Sequence, residues 1–124
     1  MPLSHRSFAT ARVLAPKGRL DHESCEAFQA DLKPHAEACA KEGSALVLHL
    51  SGLEYVSSAG LRCLMIAARE AKARAGRIVV AAMQPVVAEI FQISRFNLVL
   101  EVFPTLRDAL ATVSPQAVQA FERG

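Results

Sequence analysis

The chain has 124 residues, 52% of them hydrophobic, which suits one compact domain. Its 14 basic and 12 acidic residues give a net charge of +2 with no basic cluster, which argues against a nucleic-acid-binding protein. No apolar stretch approaches the ~18 residues of a membrane span, and the N-terminus has no apolar signal-peptide core, so we expect a cytoplasmic protein without a membrane partner.

The first third of the chain predicts two extended segments and one helix. Residues 8–15 alternate loosely, and Arg19-Leu20 follow a Pro-Lys-Gly turn, which together indicate a hairpin-like edge. Asp21 is placed to cap a helix that ends at Gly43. Pro34 should kink or split this helix, because it removes one backbone hydrogen bond.

The middle of the chain predicts a buried strand followed by a second helix. The continuous apolar run SALVLHL at residues 44–50 is typical of a central strand covered on both faces. Residues 53–56 should anchor the connection that follows. The second helix starts at the pair Ser57-Ser58, and we expect Leu64 and Ala68 on its inner face. The residues expected to project away from that face include Arg62, Cys63, Ile66 and Glu70.

The last third continues the alternation of strands and helices. The expected elements are a buried strand RIVVAAM (77–83), a helix that begins at Pro85, a short strand from Leu98 to Phe103, and a helix LRDALATV (106–113). Ser114-Pro115 should then start a short helix that runs to Phe121. This order predicts an α/β fold, with a mostly parallel sheet and helices packed on it.

Cysteine and histidine spacing gives no sign of a metal site. Cys25, Cys39 and Cys63 are far apart, without the close pairing of a zinc or thioredoxin motif, and we expect reduced thiols. The histidines at positions 5, 22 and 35 likewise lack partners at ligand spacing. We therefore predict no metal and no cofactor.

The segment YVSSAGLRCL at residues 55–64 has three possible explanations for its two serines. A serine can cap the helix, act as a nucleophile, or be modified by another protein. A hydrolase nucleophile elbow needs glycine two residues before the serine, where this chain has Val56, although His49 could approach the loop as a base. Gly60 leaves a side chain out beside Ser58, which would give another molecule room to approach the helix start.

Four segments in this order resemble the STAS domain, and within it the bacterial anti-sigma factor antagonists. They are GRLD (18–21), LVLHLSGLEYVSSAGLRCL (46–64), AGRIVVA (75–81) and LRDAL (106–110). The resemblance covers residues 8–113 and implies a mixed, mostly parallel sheet packed with about four helices. Residues 1–7 would then be an N-terminal extension, and residues 114–124 a C-terminal extension with a short helix.

The resemblance implies that Ser58 is a phosphorylation site, because Ala59, Gly60 and Leu61 follow it as in the family's Ser-Ala-Gly-Leu pattern. Ser57, the alternative acceptor, stands where the family usually has aspartate. His49 stands where the preceding strand often ends in aspartate. Asp21 matches the family's GRLD aspartate, which would lie close to the serine loop.

In function, the resemblance implies a partner switch. Unphosphorylated, the protein would bind a GHKL-type serine kinase that is also an anti-sigma factor and so free its client. The kinase would phosphorylate Ser58, and a PP2C-type phosphatase would reverse this. The expected partner surface consists of Asp21, Ser57, Ser58, Ala59, Gly60, Arg62, Cys63, Ile66 and Arg69. The alternatives are a STAS module that regulates an ABC-transporter ATPase or another client without phosphorylation, and a small serine hydrolase.

Overall fold

A five-stranded sheet forms the centre of the computed structural model, which describes residues 4–8, 11–73, 76–96 and 100–122. Across this sheet the strands are, in order, β1 (Ser4–Phe8), β2 (Ala11–Ala15), β4 (Ala45–His49), β6 (Arg77–Ala81) and β7 (Glu101–Phe103). A second sheet pairs β3 (Gly18–Leu20) with β5 (Leu53–Val56). Only β1 and β2 pair antiparallel among the described strands, so the predicted mixed, mostly parallel sheet is confirmed.

The helices begin and end at residues with recognisable capping roles. They are α1 (His22–Glu42), α2 (Ser58–Ala73), α3 (Pro85–Ile93), α4 (Leu106–Val113) and α5 (Pro115–Glu122). Asp21 caps α1 through its side chain, and Gly43 ends this helix in the left-handed conformation, with φ 70°. Pro85 occupies the start of α3, where its missing N–H costs nothing. The predicted starts of all five helices are confirmed.

Helix α1 runs without interruption through Pro34, so the alternative that this proline splits the helix is wrong. The proline side chain is exposed and does not enter the packed face. Phe28, Leu32 and Cys39 are buried along that face. Their burial against α2 and the main sheet compensates for the hydrogen bond that Pro34 removes.

Strand β4 is covered on both faces, as its continuous apolar run predicted. Leu46 and Leu48 belong to the larger core cluster, which includes residues of α1, α2 and α3. Val47 points to the opposite face and packs in a second cluster with Leu106 and Leu110 of α4. The sheet therefore lies between α1, α2 and α3 on one side and α4 on the other.

The N-terminal strand differs from the sequence prediction. Residues 8–15 were expected as one strand, but β1 ends at Phe8 and pairs back on β2 between Phe8↔Ala11 and Ser4↔Ala15. Residues 9 and 10 lie outside the described ranges, and neither is glycine or proline, so no residue type signalled that β1 ends at Phe8. Residues 4–7, expected as part of an extension, thus belong to the edge strand of the sheet.

Two later segments also differ. Residues 53–56, expected as an anchored connection, form β5 beside β3. On α3, Val87 and Phe91 are buried in the core, whereas Val86 and Ile93 are exposed. The predicted strand start at Leu98 and the Ala75 of the AGRIVVA segment lie outside the described residues, and β7 starts at Glu101.

Candidate functional site at the start of helix α2

Ser57 is the residue that caps α2. Its Oγ accepts a hydrogen bond from the backbone N–H of Gly60 at 3.1 Å, and its carbonyl accepts one from Leu61 at 2.9 Å. Its own N–H donates to the Leu20 carbonyl at 2.9 Å, which ties the serine loop to the end of β3. The capping explanation for the serine pair therefore applies to Ser57, whose side chain is only partly exposed.

Ser58 is the first residue of α2, and its side chain is exposed. It lines an open surface cavity of about 320 Å³ together with His22, Cys25, Ala59 and Arg62. Ser58 lies in the first turn of α2, where backbone N–H groups lack partners within the helix and favour a nearby anion. A phosphate on this hydroxyl could therefore be accommodated without unfolding the helix.

Gly60 is buried and has a different role from the one expected. A Cβ atom at this position would overlap the backbone carbonyl group of Leu20, and it would also lie 3.1 Å from the Leu20 Cγ. The missing side chain thus lets α2 approach the end of β3, where the Ser57–Leu20 hydrogen bond forms. The prediction that Gly60 gives a partner room beside Ser58 is wrong.

Asp21 directly follows Leu20, whose carbonyl accepts the hydrogen bond from the Ser57 N–H. Asp21 therefore lies close to the serine loop, as expected. Its carboxylate accepts hydrogen bonds from the N–H groups of Ser24 and Glu23, both at 3.1 Å. The Ser24 hydroxyl donates a further bond at 3.2 Å, and Arg19 lies at 3.8 Å. These contacts, led by the Ser24 N–H, hold the pKa of Asp21 below its ordinary value of 3.8.

This lowered pKa predicts a pH-dependent cap on α1. A carboxyl whose folded pKa lies below its unfolded pKa adds stability that is fully present above the unfolded value and is lost as pH falls through the folded value. We expect Asp21→Asn to match the wild type at neutral pH, because asparagine also caps helices, and to lose less stability than the wild type as pH falls below 3.8. Urea unfolding midpoints at neutral and acidic pH measure both effects.

Asp21→Ala is the control for the cap itself, since it should be destabilised already at neutral pH. Every other carboxyl group is the same in these proteins. The difference in acid-dependent stability between the wild type and Asp21→Asn therefore reports on the Asp21 carboxyl alone. Equal losses of stability in the wild type and in Asp21→Asn on acidification would contradict the lowered pKa of Asp21.

Cys63 is buried, with 1% of its surface exposed, so the prediction that it projects outward into the partner surface is wrong. The buried residues of α2 are Gly60, Cys63, Leu64, Ala67, Ala68 and Ala71. This face is wider than one helical stripe because α2 packs against α1 as well as against the sheets. Cys63 faces Cys25 of α1, and the Cα–Cα distance of 6.1 Å places the two side chains within reach of a disulfide bond. The sequence spacing did not predict that two of the three cysteines lie this close together.

The other predicted partner residues of α2 remain at the surface. Ser58, Arg62, Ile66 and Arg69 follow one another at spacings of four, four and three residues, and all four are exposed. Residues at these spacings share one side of a helix. We call this set the α2 stripe. It presents two arginines and a large apolar side chain, with Ile66 40% exposed, beside the cavity at Ser58.

His22 and Cys25 were not singled out as site residues from the sequence, yet both line the cavity beside Ser58. Their signal was indirect: both lie in the first turns of the helix that Asp21 caps. His49, the histidine considered as a base, ends β4 and is not among the residues that line this cavity. In the described ranges, no hydrogen bond joins the Ser58 hydroxyl to a histidine, as a hydrolase triad would require.

Two further features of the described residues bear on the site. They include no group of three or more histidine, cysteine or acidic side chains that could hold a metal ion. Within the same ranges, no helix combines the length and the apolar character needed to cross a membrane.

Comparison with known proteins identifies the family. The chain matches the family model described as Mlab, STAS domain, over residues 6–103. A curated protein of Bordetella bronchiseptica, named anti-sigma factor antagonist BtrV, is 32% identical over 104 residues, which cover 82% of this chain and 84% of the relative.

Solved structures share the fold at lower identity. An anti-sigma factor antagonist from Mycobacterium paratuberculosis superposes with a TM-score of 0.73 at 23% identity, covering 90% of this chain and 92% of that one. Unphosphorylated SpoIIAA gives 0.69 at 22% identity, with 91% and 96% covered. Phosphorylated SpoIIAA from Bacillus gives 0.61 at 21%, with 90% and 98% covered. By the family model and the Bordetella relative, the chain belongs to the STAS domain family, among the anti-sigma factor antagonists.

Proposed function

We propose that this protein is a phosphorylation-controlled partner switch in bacterial signalling and transcription regulation. Its unphosphorylated form binds a GHKL-type anti-sigma factor that is also a serine kinase, and this binding releases the client of that factor. The kinase transfers phosphate from ATP to Ser58, which ends the binding, and a PP2C-type phosphatase removes it. In this role the protein is a cytoplasmic binding protein and phosphorylation substrate, and not an enzyme.

The observation that carries the proposal is the difference between the two serines. Ser57 is occupied as the α2 cap and as a hydrogen-bond partner of Leu20. Ser58 is exposed at an open cavity, so a kinase can reach its hydroxyl. In the transfer, the Ser58 oxygen bonds to the γ-phosphorus of ATP, ADP leaves and the hydroxyl proton is released. Ser58 is thus the better acceptor.

The α2 stripe supports a docking surface next to this acceptor. Arg62 and Arg69 make the stripe cationic, while Ile66 gives it an apolar centre. Exposed apolar side chains flanked by charges are common in protein interfaces. We therefore expect the partner to present an acidic surface with an apolar contact for Ile66.

Phosphate on Ser58 would oppose such a complex. It adds roughly −1.5 to −2 charges and three acceptor oxygens beside Arg62, on the side that meets an acidic partner. Driving a complex from 99:1 bound to 1:99 takes ~5.5 kcal/mol of differential binding. Like-charge repulsion and the desolvation of a phosphate at an interface can supply energies of this size.

A second candidate is a STAS module that regulates an ABC-transporter ATPase or another client without phosphorylation. It is favoured by Ser57, which replaces the usual aspartate of the family with an uncharged cap. The matching family model carries the description Mlab, which differs from the name of the Bordetella relative. This candidate would use the same α2 stripe but would leave Ser58 unmodified.

Phosphoryl transfer separates the two candidates. We expect the wild-type protein, incubated with ATP and the GHKL-type kinase encoded nearest to its gene, to gain the mass of one phosphate. Peptide mass spectrometry should place it on Ser58, and Ser58→Ala should gain nothing. The matched control is Ser57→Asp, which restores the usual aspartate of the family, can still cap α2 and should be phosphorylated like the wild type.

Unchanged phosphorylation of Ser58→Ala would contradict the assignment, and no mass gain in the wild type would favour the ABC-transporter module. The serine hydrolase alternative predicts labelling of Ser58 by a fluorophosphonate probe, and we expect no labelling.

A further inference from the structure

Cys25 and Cys63 face each other where α1 and α2 cross. Their Cα atoms lie 6.1 Å apart, inside the range of roughly 4.4–6.8 Å that protein disulfides use. Both residues lie within long helices, at the fourth position of α1 and the sixth of α2. The backbone therefore holds these two side chains close enough to bond without rearrangement of either helix.

The two sulfurs differ in their access to solvent. Cys25 is partly exposed and lines the cavity beside Ser58, whereas Cys63 is 1% exposed beneath it. A small oxidant that enters the cavity meets Cys25 first, and Cys63 is then the sulfur within reach. Arg62 lines the same cavity. A partly exposed thiol with a second thiol within reach is the arrangement of reversible cysteine oxidation.

We propose that Cys25 and Cys63 are a reversible thiol–disulfide pair, a modification site for a peroxide in the cavity beside Ser58. The Cys25 thiolate attacks one oxygen of hydrogen peroxide, so an S–O bond forms, the O–O bond breaks and water leaves after taking up the thiol proton. The Cys63 thiol then attacks the Cys25 sulfur, the S–S bond forms, and the S–O bond breaks with release of a second water. The two sulfurs together lose two electrons, and a dithiol reductant returns them.

Reduction should change the surroundings of Ser58. Two thiol sulfurs must separate to van der Waals contact, and Cys63 is buried whereas Cys25 borders the cavity. Cys25 therefore moves toward the cavity that it shares with Ser58, away from its 3.7 Å contact with the Ala59 carbonyl. The disulfide form leaves this cavity open, so it should be the faster kinase substrate. This consequence rests on the proposed function, but the redox site itself does not.

Counting thiols tests the redox site without any partner protein. The full-length protein is reduced with dithiothreitol, desalted, treated with hydrogen peroxide and then unfolded and alkylated. We expect only one of its three cysteines to be alkylated, Cys39, and the peptides of Cys25 and Cys63 to be joined. Renewed reduction should restore all three alkylation sites. Alkylation of both Cys25 and Cys63 after peroxide, or a bond that includes Cys39, would overturn the proposal.

Two variants make the chemistry specific. Cys63→Ala lacks the second sulfur and should retain a sulfenic acid on Cys25 that dimedone traps, while Cys39→Ala should form the disulfide as the wild type does. No dimedone adduct on Cys25 of Cys63→Ala would overturn the role of Cys25 as the attacking sulfur.

The kinase then serves as the second readout, with Ser58 phosphorylation rates compared between oxidised and reduced protein. We expect oxidation to raise the rate several-fold in the wild type and not in Cys25→Ser. A disulfide that forms in a protein whose Ser58 is never phosphorylated would refute the proposed function and leave the redox site standing. Normal phosphorylation of Ser58 in a protein that forms no disulfide would refute the redox site and leave the proposed function standing.

Discussion

Replacing Gly60 with alanine should destabilise the protein by about 3 kcal/mol, which for a domain of this size lowers the melting temperature by about 10 °C. The added Cβ would overlap the backbone carbonyl of Leu20, and a backbone group held by its own hydrogen bond to Ser57 cannot simply turn aside. Relief requires α2 to move away from the end of β3. Thermal unfolding followed by circular dichroism measures the loss.

Gly52→Ala is the matched control for this substitution. A Cβ at position 52 would lie 3.0 Å from the Lys17 Cγ, a flexible side-chain atom that can shift at little cost. We expect a change within about 1 kcal/mol there. If Gly60→Ala and Gly52→Ala had the same melting temperature, the close packing of α2 on Leu20 would be refuted.

Ser58→Asp should weaken binding of the GHKL-type kinase by at least about tenfold, or ~1.4 kcal/mol, while the fold stays intact. The new carboxylate lies at the start of α2, where the helix dipole tolerates it. It also faces the partner next to Arg62, where it opposes the acidic surface that we expect on the kinase. Titration calorimetry measures the affinity, and circular dichroism confirms the fold.

Ser57→Asp again provides the control, because it adds the same charge one residue earlier at the half-buried cap. We expect its affinity to stay within a few-fold of the wild type. The opposite result, with Ser57→Asp weakened and Ser58→Asp unchanged, would shift the switch site to Ser57.

Most of the fold could be predicted because local signals agreed with the tertiary arrangement. Residues 45–48 are all apolar, which predicts a strand with two apolar faces, and β4 indeed packs Leu46 and Val47 into opposite clusters. Asp21, Gly43 and Pro85 act within a few residues of their own positions, so helix limits followed from the sequence alone.

The features that could not be predicted depend on neighbours distant in sequence. β3 and β5 are only three and four residues long and become strands through pairing with each other. The burial of Cys63 depends on α1 lying across α2, which helical periodicity alone does not reveal. On α3, several apolar residues offered two possible inner faces, and packing selected Val87 and Phe91.

The candidate site was predicted in part. The sequence predicted that the serine pair starts α2, but only the hydrogen bond from the Gly60 N–H to the Ser57 Oγ shows which of the two serines caps the helix. The role of Gly60 was not, because only the position of Leu20 shows which side of the helix the glycine faces. Likewise, His22 and Cys25 join the cavity only because the starts of α1 and α2 come together.

The most direct test of the switch is the affinity of the kinase for one protein preparation before and after phosphorylation of Ser58. Both samples share every residue, so any difference comes from the phosphate alone. We predict that the phosphorylated protein binds at least about a hundredfold more weakly and that phosphatase treatment restores the original affinity. Equal affinity of the two samples would contradict the account.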